Sequence, residues 1–393
     1  MKMVVFSHKA CWPSGNSPMG YATDGGFVFH MQAIASLCEQ VTLVVPVVKP
    51  KPSGEVLFTA ANIKVVPLAL PEVVGVRRKL AMGWFIIKQL VPFISIIKKH
   101  DAVHTPIPSD VGTVGMLIAH IMNKPLLVRH CGNWYKQTTL AEKFWKWYME
   151  KYAGGKRVFL ATGGGLQPPS AKNPNIQWIF SSSLSKAQLA LNSQRNAINA
   201  APVWHLAIAC RQDEKKGTGR AIQALALLPN AAQFRLHIVG DGPDLPAFKQ
   251  LAQDLGVTDL VSFYGKLSHQ KVLEVLKRAD LFVYPTDASE GFPKVVLEAM
   301  SCGLPVITTQ VSLLPMLIEG HNAGVILKHN NAEHLAQAIN QACAQPEQLR
   351  QWSANAVACA HQFSLEAWAQ FIKSAITPAW LPYLPAGRSS VSI

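Results

Sequence analysis

Cations, glycines and a carboxylate follow four apolar stretches in the C-terminal half of this 393-residue chain. Arg211 and then Lys215-Lys216-Gly217 follow the first stretch, and Gly240-Asp241-Gly242-Pro243 follows the second. Gly265-Lys266 follows the third, and a loop that ends in Glu290 follows the fourth. A pyrophosphate needs fixed cations, and glycines where the backbone must approach it closely. The pattern therefore predicts a site for a phosphorylated ligand.

The segment after this glutamate predicts a short helix whose first turn faces an anion. Gly291 allows an unusual turn, and Pro293 suits the first helical position. The amides from Lys294 to Val296 would point at the anion, and the helix dipole would add to the attraction. Glu298 projects from a different side than the apolar residues, and a carboxylate in such surroundings needs a partner. The two hydroxyls of a ribose would supply it.

Parallel sheets are needed to place these strand ends together, and both halves alternate predicted strands with helices. In the first half, strands are predicted over 3–8, 41–48, 101–105 and 125–129, with helices over 27–38 and 111–122. In the second half, strands are predicted over 203–209, 234–239, 260–264, 281–284 and 304–308, with helices over 220–228, 245–255, 268–278, 293–301 and 332–344. The expected fold is α/β, with two Rossmann-like doubly wound domains that face a cleft.

The length exceeds what one hydrophobic core usually supports, so more than one domain is expected. We predict an N-terminal acceptor-binding domain over 1–198 and a nucleotide-sugar-binding domain over 199–363. A small polar segment between Gln194 and Pro202 is the predicted linker. Residues 364–393 form a C-terminal helix and tail, and the helix is expected to return to the N-terminal domain.

The run from Glu290 to Ile307 resembles the signature of the family-four retaining glycosyltransferases, the glycosyl transferases group 1, which have the GT-B fold. It holds two glutamates with seven residues between them, followed by Gly-x-Pro-Val. Arg211 with Lys216-Gly217, and the downstream Gly240-Asp241-Gly242-Pro243, are similar to the rest of that family's donor domain. Gly25-Gly26 resembles the family's N-terminal glycine loop. The resemblance is strong over 200–330 and weak over the first half.

This resemblance implies transfer of a hexosyl group from a nucleotide-sugar, UDP-glucose or similar, with retention at the anomeric carbon and without a required metal or other cofactor. Arg211 and Lys216 would hold the diphosphate and stabilise the leaving group. Glu298 would bind the ribose, and Glu290 would lie beside the donor sugar. The other implied donor-binding residues are Gly25, Gly26, Gly240, Asp241, Gly242, Gly265, Lys266, Gly291, Phe292, Pro293, Lys294 and Val295.

His130 follows the predicted strand over 125–129 and resembles the cleft histidine of the family. The hypothesis is that His130 is catalytic and orients the acceptor hydroxyl or the donor sugar; a hydrogen-bonded structural histidine is an equal alternative. Asn133 and Trp134 in the same loop are predicted to contact the acceptor. Asp24 is a further candidate for that role, although a turn residue is the simpler interpretation.

The net positive charge lies entirely in the first half, because Lys and Arg are balanced by Asp and Glu in the second. Residues 1–200 contain 22 Lys and Arg against 8 Asp and Glu, whereas the formal charge of the whole chain is +14. Basic residues alternate with aromatic ones over 76–99 and 136–156, which favours contact with an anionic membrane surface over two ordinary core helices. The apolar segment 80–97 contains Lys88 and Pro92 and is not expected to span a membrane.

Seven cysteines without close pairs and the absence of a leader pattern predict a cytoplasmic protein, peripheral on the inner face of the membrane. The expected acceptor is a sugar or lipid-linked glycan in surface polysaccharide or glycolipid assembly. A sugar-nucleotide epimerase of the same shape and a basic polyanion-binding protein are the alternatives. No nucleic-acid motif is present, so nucleic acid is not an expected partner.

Overall fold

The computed structural model describes residues 1–49, 55–71, 76–165, 167–180, 182–193, 203–288 and 291–384. The chain divides into two compact units: the first comprises Met1–Phe180 and Leu365–Ile393, and the second comprises Ser181–Ser364. The predicted linker between Gln194 and Pro202 lies outside the described residues. The division assigns 182–193 to the second unit, whereas the predicted boundary at 198 left them in the N-terminal domain.

The first unit contains two sheets. Its strands are, in chain order, β1 (Lys2–Phe6), β2 (Cys11–Pro13), β3 (Tyr21–Thr23), β4 (Gln40–Pro46), β5 (Val56–Leu57), β6 (Ile63–Leu68), β7 (Ala102–Ile107), β8 (Leu126–His130), β9 (Arg157–Thr162) and β10 (Gln177–Ile179). A seven-stranded parallel sheet has the order β10-β9-β8-β7-β1-β4-β6, and β2-β3-β5 form a small antiparallel sheet. The sequence did not predict the small sheet, because its strands have only two or three residues each.

The second unit contains one six-stranded parallel sheet. Its strands are β11 (Trp204–Ala209), β12 (Phe234–Val239), β13 (Val261–Gly265), β14 (Leu281–Tyr284), β15 (Val306–Thr308) and β16 (Gly324–Ile326). Their order is β13-β12-β11-β14-β15-β16. The strand order reverses beside β11, and ligands of open parallel sheets bind beyond the strand ends at such a point.

The helices follow the strands as α/β alternation requires. They are α1 (Phe27–Ala35), α2 (Val76–Lys98), α3 (Asp110–Ile121), α4 (Leu140–Tyr152), α5 (Lys186–Asn192), α6 (Thr218–Leu227), α7 (Leu245–Asp254), α8 (His269–Arg278), α9 (Lys294–Ser301), α10 (Leu314–Ile318), α11 (Ala332–Cys343), α12 (Pro346–His361) and α13 (Leu365–Trp380). The prediction of two Rossmann-like parallel-sheet domains is confirmed.

The two faces of the seven-stranded sheet carry separate hydrophobic cores. Alternate residues of β1 point to opposite faces, so Met3 packs with α1 and α13, while Val4 packs with α2, α3 and α4. α13 contributes Trp368 and Trp380, both buried, to the first of these cores. This helix extends to Trp380, so most of the described part of the segment 364–393 is helical.

α2 runs without interruption through Pro92. Phe93 and Ile97 are buried against the core, but much of the helix faces solvent. Within the part of the chain that the structure describes, Ala81–Lys98 passes the length and composition test for a membrane span, with a mean hydropathy of 1.4. Length and composition alone do not distinguish a span from a helix that lies on a surface.

Candidate functional site

A cavity of about 320 Å³ lies at the C-terminal ends of β11 and β12 in the second unit. Its lining residues come from these strand ends, from the start of α8 and from α9. They are Ala209, Cys210, Arg211, Val239, Gly240, Asp241, Lys266, Leu267, Val272, Val295 and Glu298. Six of these are predicted donor-binding residues: Arg211, Gly240, Asp241, Lys266, Val295 and Glu298. The structure thus brings two cations and two carboxylates to one crevice.

Buried Gln212 fixes the turn that presents Arg211. Its side-chain amide donates to the carbonyl of Cys210 over 3.0 Å and to that of Val239 over 3.1 Å. Its oxygen accepts a hydrogen bond of 2.8 Å from Thr218. These hydrogen bonds pair the backbone carbonyl groups at which β11 and β12 end. Arg211, next to Gln212 in the chain, is exposed. No feature of the sequence indicates this role, because a glutamine between polar residues resembles an ordinary surface residue.

Gly240 and Gly242 are required by close approach within the protein. A Cβ at Gly240 would lie 1.8 Å from the carbonyl oxygen of Cys210, and one at Gly242 would lie 2.2 Å from that of Gln212. The expectation that both glycines make room for a ligand needs correction, since neighbouring backbone fills the space. Gly240 still lines the cavity, but Gly242 does not. The Gly240 amide also donates to the carbonyl of Gly265 over 2.8 Å.

Lys216 ends a 3-10 turn, Glu214–Lys216, that follows β11. Gly217 comes next with φ +89, and a Cβ there would lie 2.1 Å from the carbonyl oxygen of Pro285. Burial lowers the pKa of Lys216, and the nearby charge of Arg211 lowers it further. Lys216 is not among the cavity-lining residues, but it lies close enough to Arg211 for their charges to interact. The two predicted phosphate-binding cations are therefore near each other, and the carboxylate of Asp213 is also close to Lys216.

The start of α9 differs from the prediction in two respects. Pro293 is the N-cap residue and not the first helical residue, because α9 begins at Lys294. The Val296 amide donates to the carbonyl of Pro293 over 3.0 Å, so it does not point to an anion as expected. Phe292 is buried, and its ring centroid lies 6.0 Å from that of Phe363. The Gly291 carbonyl accepts a hydrogen bond from Ser312. Lys294 begins the helix without lining the cavity.

Glu290, the predicted catalytic carboxylate, lies outside the described residues. Glu298 is described: it is buried and borders the cavity. Burial acts to raise the pKa of Glu298, but the hydrogen bond and charge of His269, with a further hydrogen bond from Ser183, outweigh burial and lower it. The hydrogen bond to Glu298 raises the pKa of His269 in turn. Sequence reasoning missed Ser183 and His269, which are distant in the chain.

Gly25 and Gly26 immediately precede α1 in the first unit, and Gly26 is its N-terminal cap residue. Gly25 has φ +67, and a Cβ there would meet no atom within 4 Å. Asp24 pairs with the ammonium of Lys9. These positions match the predicted glycine turn before the first helix, with Asp24 held by an ion pair at its edge.

His130 ends β8, where it is almost completely buried. Burial lowers its pKa to about 4, so the ring is neutral at pH 7. Its Nδ1 is buried and has no hydrogen-bond partner among the described residues. An unsatisfied buried nitrogen is uncommon and is consistent with either a functional or a structural histidine. The two alternatives for His130 therefore stay open.

The predicted acceptor role of Trp134 does not fit its environment. Trp134 is buried, its indole N–H donates to the carbonyl of Pro169 over 2.7 Å, and its ring packs against His130. It supports the histidine from within the core. Asn133 accepts hydrogen bonds from the amides of Tyr135 and Lys136, so it shapes the loop.

Residues 204–358 match the protein family described as Glycosyl transferases group 1. Over 144 residues, the chain is 35% identical to the lipopolysaccharide glucosyltransferase WaaG of Escherichia coli strain K12. This similar segment covers 36% of this chain and 38% of the relative. Over 146 residues, it is 33% identical to the putative colanic acid biosynthesis glycosyltransferase WcaL of the same strain, which covers 36% of each protein. The similar segment spans little more than a third of these relatives.

Solved structures extend the likeness along the chain. A crystal structure of HepE from Anabaena, in complex with UDP, has a TM-score of 0.70 at 18% identity and covers 96% of this chain and 100% of that one. A crystal structure of WaaG has a TM-score of 0.62 at 17% identity and covers 96% and 100%, respectively. Identities this low show the fold alone.

The two parallel sheets and these solved structures define a protein of the GT-B fold. Within it, the crevice with Arg211 and Glu298 lies in the segment that matches the family. Residues 204–358 are a glycosyl transferases group 1 domain, so the family predicted from the run that begins at Glu290 is confirmed.

Proposed function

We propose that the protein is a retaining glycosyltransferase that moves a hexosyl group from a nucleotide-sugar to a glycan or lipid-linked acceptor. One observation carries this proposal: Arg211, Lys266 and Glu298 border one cavity in a glycosyl transferases group 1 domain, with Lys216 beside it. Cations suit a diphosphate, and an ionised carboxylate suits the hydroxyls of a ribose.

Departure of the nucleoside diphosphate breaks the bond between the anomeric carbon and the phosphate oxygen. Negative charge then grows on the diphosphate, and cations already in place stabilise it more in the transition state than in the ground state. We assign this role to Arg211 and Lys216. Glu290 and His130 are proposed to act at the donor sugar and the acceptor hydroxyl.

We propose UDP-glucose as the donor, because HepE has been solved in complex with UDP-glucose and shares the fold. The proposed acceptor is an intermediate of surface polysaccharide or glycolipid assembly, as the names of WaaG and WcaL concern such pathways. Transfer is proposed to need no metal or cofactor, since Arg211 and Lys216 supply the positive charge; full activity after treatment with EDTA would support this.

Titration calorimetry with UDP-, GDP- and ADP-glucose tests the proposal directly. We expect one nucleotide series to bind and to be hydrolysed slowly without an acceptor, and the released sugar to keep the anomeric configuration in early proton NMR spectra. A polyanion-binding protein would ignore all three donors. An epimerase would return an altered nucleotide-sugar without release of nucleotide, and either result would contradict transfer.

We also propose that the first unit binds an anionic membrane surface. On α2, exposed Trp84, Ile87 and Val91 follow one another at helical spacing, with Lys88 between them. Such an apolar stripe with cations suits the interface between headgroups and acyl chains. The excess of Lys and Arg over Asp and Glu in residues 1–200 suits anionic lipids.

The second basic stretch contributes less than predicted. In α4, Trp145 and Tyr148 are buried in the core, and Trp147 is the exposed aromatic residue. α2 is therefore the main candidate for lipid contact and supports a cytoplasmic, peripheral localisation. Sedimentation with anionic and neutral vesicles tests this: we expect binding to anionic vesicles that weakens with added salt, and equal lack of binding to both would contradict it.

A further inference from the structure

Two residues from distant parts of the second unit hold the carboxylate of Glu298. Ser183 Oγ donates to Glu298 Oε1 over 2.6 Å, and His269 Nε2 lies 3.0 Å from the same oxygen. Both hydrogen bonds that described side chains make to this carboxylate therefore end on Oε1. Glu298 also lines the cavity, and its Oε2 accepts no hydrogen bond from a described side chain.

The segment that carries Ser183 is fastened to α9 a second time. Asn192 Nδ2 donates to Ser301 Oγ over 3.0 Å, one helical turn beyond Glu298. Ser183, Asn192, Glu298 and Ser301 are all buried. Buried hydrogen bonds are costly to leave unmade, so the two contacts hold the segment in register with the helix. This also explains why residues 182–193 belong to the second unit.

His269 is placed by the helix that it begins. It is the first residue of α8, and Ser268 before it accepts a hydrogen bond from the Lys271 amide as the N-cap. The helix start therefore fixes the backbone from which the imidazole reaches Glu298. The imidazole supplies an N–H donor to a carboxylate that, when ionised, can only accept.

We propose that Ser183 and His269 are positioning residues for nucleotide recognition: they hold Oε1 of Glu298, so that Oε2 accepts hydrogen bonds from the ribose hydroxyls of a bound nucleotide. The inference rests on the proposed function, since it takes the cavity to be the nucleotide site. Neither residue is among those that line the cavity. Without either of them, the carboxylate can rotate, and its outward oxygen loses its fixed direction.

Discrimination between ribose and deoxyribose tests this role. Titration calorimetry is performed with whichever of UDP, GDP and ADP binds most tightly and with its 2′-deoxy and 3′-deoxy forms. We expect the wild type to prefer the ribose form to at least one deoxy form by about tenfold or more, as for a hydrogen bond to a charged group. In Ser183→Ala and His269→Ala, the ratio of the affinity for the ribose form to the affinity for the deoxy form should fall close to the ratio measured for Glu298→Ala.

Two further variants separate positioning from general damage. His269→Gln keeps an N–H donor and should recover part of the ratio, whereas His329→Ala, at an exposed histidine of the same unit, should keep all of it. Ser183→Ala and His269→Ala proteins that retain the wild-type ratio would overturn the inference. Equal weakening toward ribose and deoxyribose forms would also overturn it, because that is the result of a structural role.

The same data distinguish failure of the inference from failure of the proposed function. A wild type that binds a nucleoside diphosphate but does not discriminate against either deoxy form overturns the role of Ser183 and His269 and leaves nucleotide binding intact. A wild type that binds none of the three diphosphates overturns the proposed function itself, and the inference with it.

Discussion

The exposed stripe of α2 allows a quantitative prediction about membrane binding. We consider a triple variant in which Trp84, Ile87 and Val91 are replaced by serine. These side chains are 61%, 59% and 76% exposed, so they contribute little to the core. The triple variant should therefore unfold at nearly the wild-type temperature, while its affinity for anionic vesicles falls.

The exposed fractions set the size of this loss. Complete burial of a large apolar side chain is worth about 1.5–3 kcal/mol. Three side chains that are each roughly two-thirds exposed could thus gain about 4 kcal/mol by entering lipid. Insertion at an interface is partial, so we expect a loss of about 3 kcal/mol, or a partition coefficient that is lower by roughly a hundredfold.

Sedimentation with vesicles that contain phosphatidylglycerol measures the partition coefficient, and circular dichroism melting checks the fold. The matched control replaces three exposed apolar residues of the second unit, Leu227, Leu255 and Tyr264, by serine. The reasoning is refuted if the α2 variant binds vesicles as the wild type does, or if the control variant loses as much affinity as the α2 variant.

Three further predictions concern the second unit. Lys216→Ala should lower kcat by about 10²–10³-fold, whereas Lys215→Ala, at an exposed neighbour, should leave it nearly unchanged; similar kcat values would count against the assigned role. Gly240→Ala should lower the free energy of unfolding by about 3 kcal/mol, because an alanine is strained at the φ of +121 and its Cβ would collide with the carbonyl of Cys210. Gly265→Ala, which meets open space, should cost about 1 kcal/mol in urea unfolding, and equal losses would contradict this explanation. Burial lowers the pKa of His237 to about 4. Between about pH 6.5 and 4, His237 is therefore protonated in the unfolded chain but remains neutral in the folded protein. The free energy of unfolding should therefore fall as the pH is lowered through that window. The urea midpoint should drop less over this pH change in His237→Gln than in the wild type, and identical drops would argue against the assignment.

Five of the six strands in the sheet of the second unit were predictable because they are short, apolar and bounded by glycine or charge, whereas β16, with three residues, was not predicted. The predicted strands over 234–239 and 281–284 coincide with β12 and β14. The ends of β11 and β12 identified Arg211 and Gly240, which border the cavity. The parallel arrangement brings these residues together, because it places the carboxyl ends of all strands at one edge of the sheet.

The position of Gly240 after a strand was predicted from the sequence, but the reason why a glycine is needed there was not. Gly240 could equally have faced a ligand or a neighbouring strand end, and the sequence contains nothing that separates these cases. The backbone at Cys210 approaches it. Trp134 presents the same difficulty: its partner Pro169 is remote in sequence, and so burial of the indole could not be inferred from the adjacent histidine.

Residues that act on a site from a distance along the chain were beyond sequence reasoning. Ser183 reaches Glu298 across 115 positions, and it lies on the side of the predicted boundary at 198 assigned to the other domain. His269 looked like an ordinary residue at the start of a helix. Neither type nor spacing indicates such contacts, because they arise from how α5, α8 and α9 pack.

The placement of α13 in the first unit means that this unit is not continuous in the chain. Its core includes Trp368 and Trp380, so a fragment that stops at Phe180 would expose a sheet face that these indoles normally cover. Deletion of residues 365–380 would consequently unfold the part of the first unit that precedes Phe180. To be produced alone, this half would need a circular permutation that joins 365–384 to it, whereas the uninterrupted Ser181–Ser364 could be cloned as a single stretch.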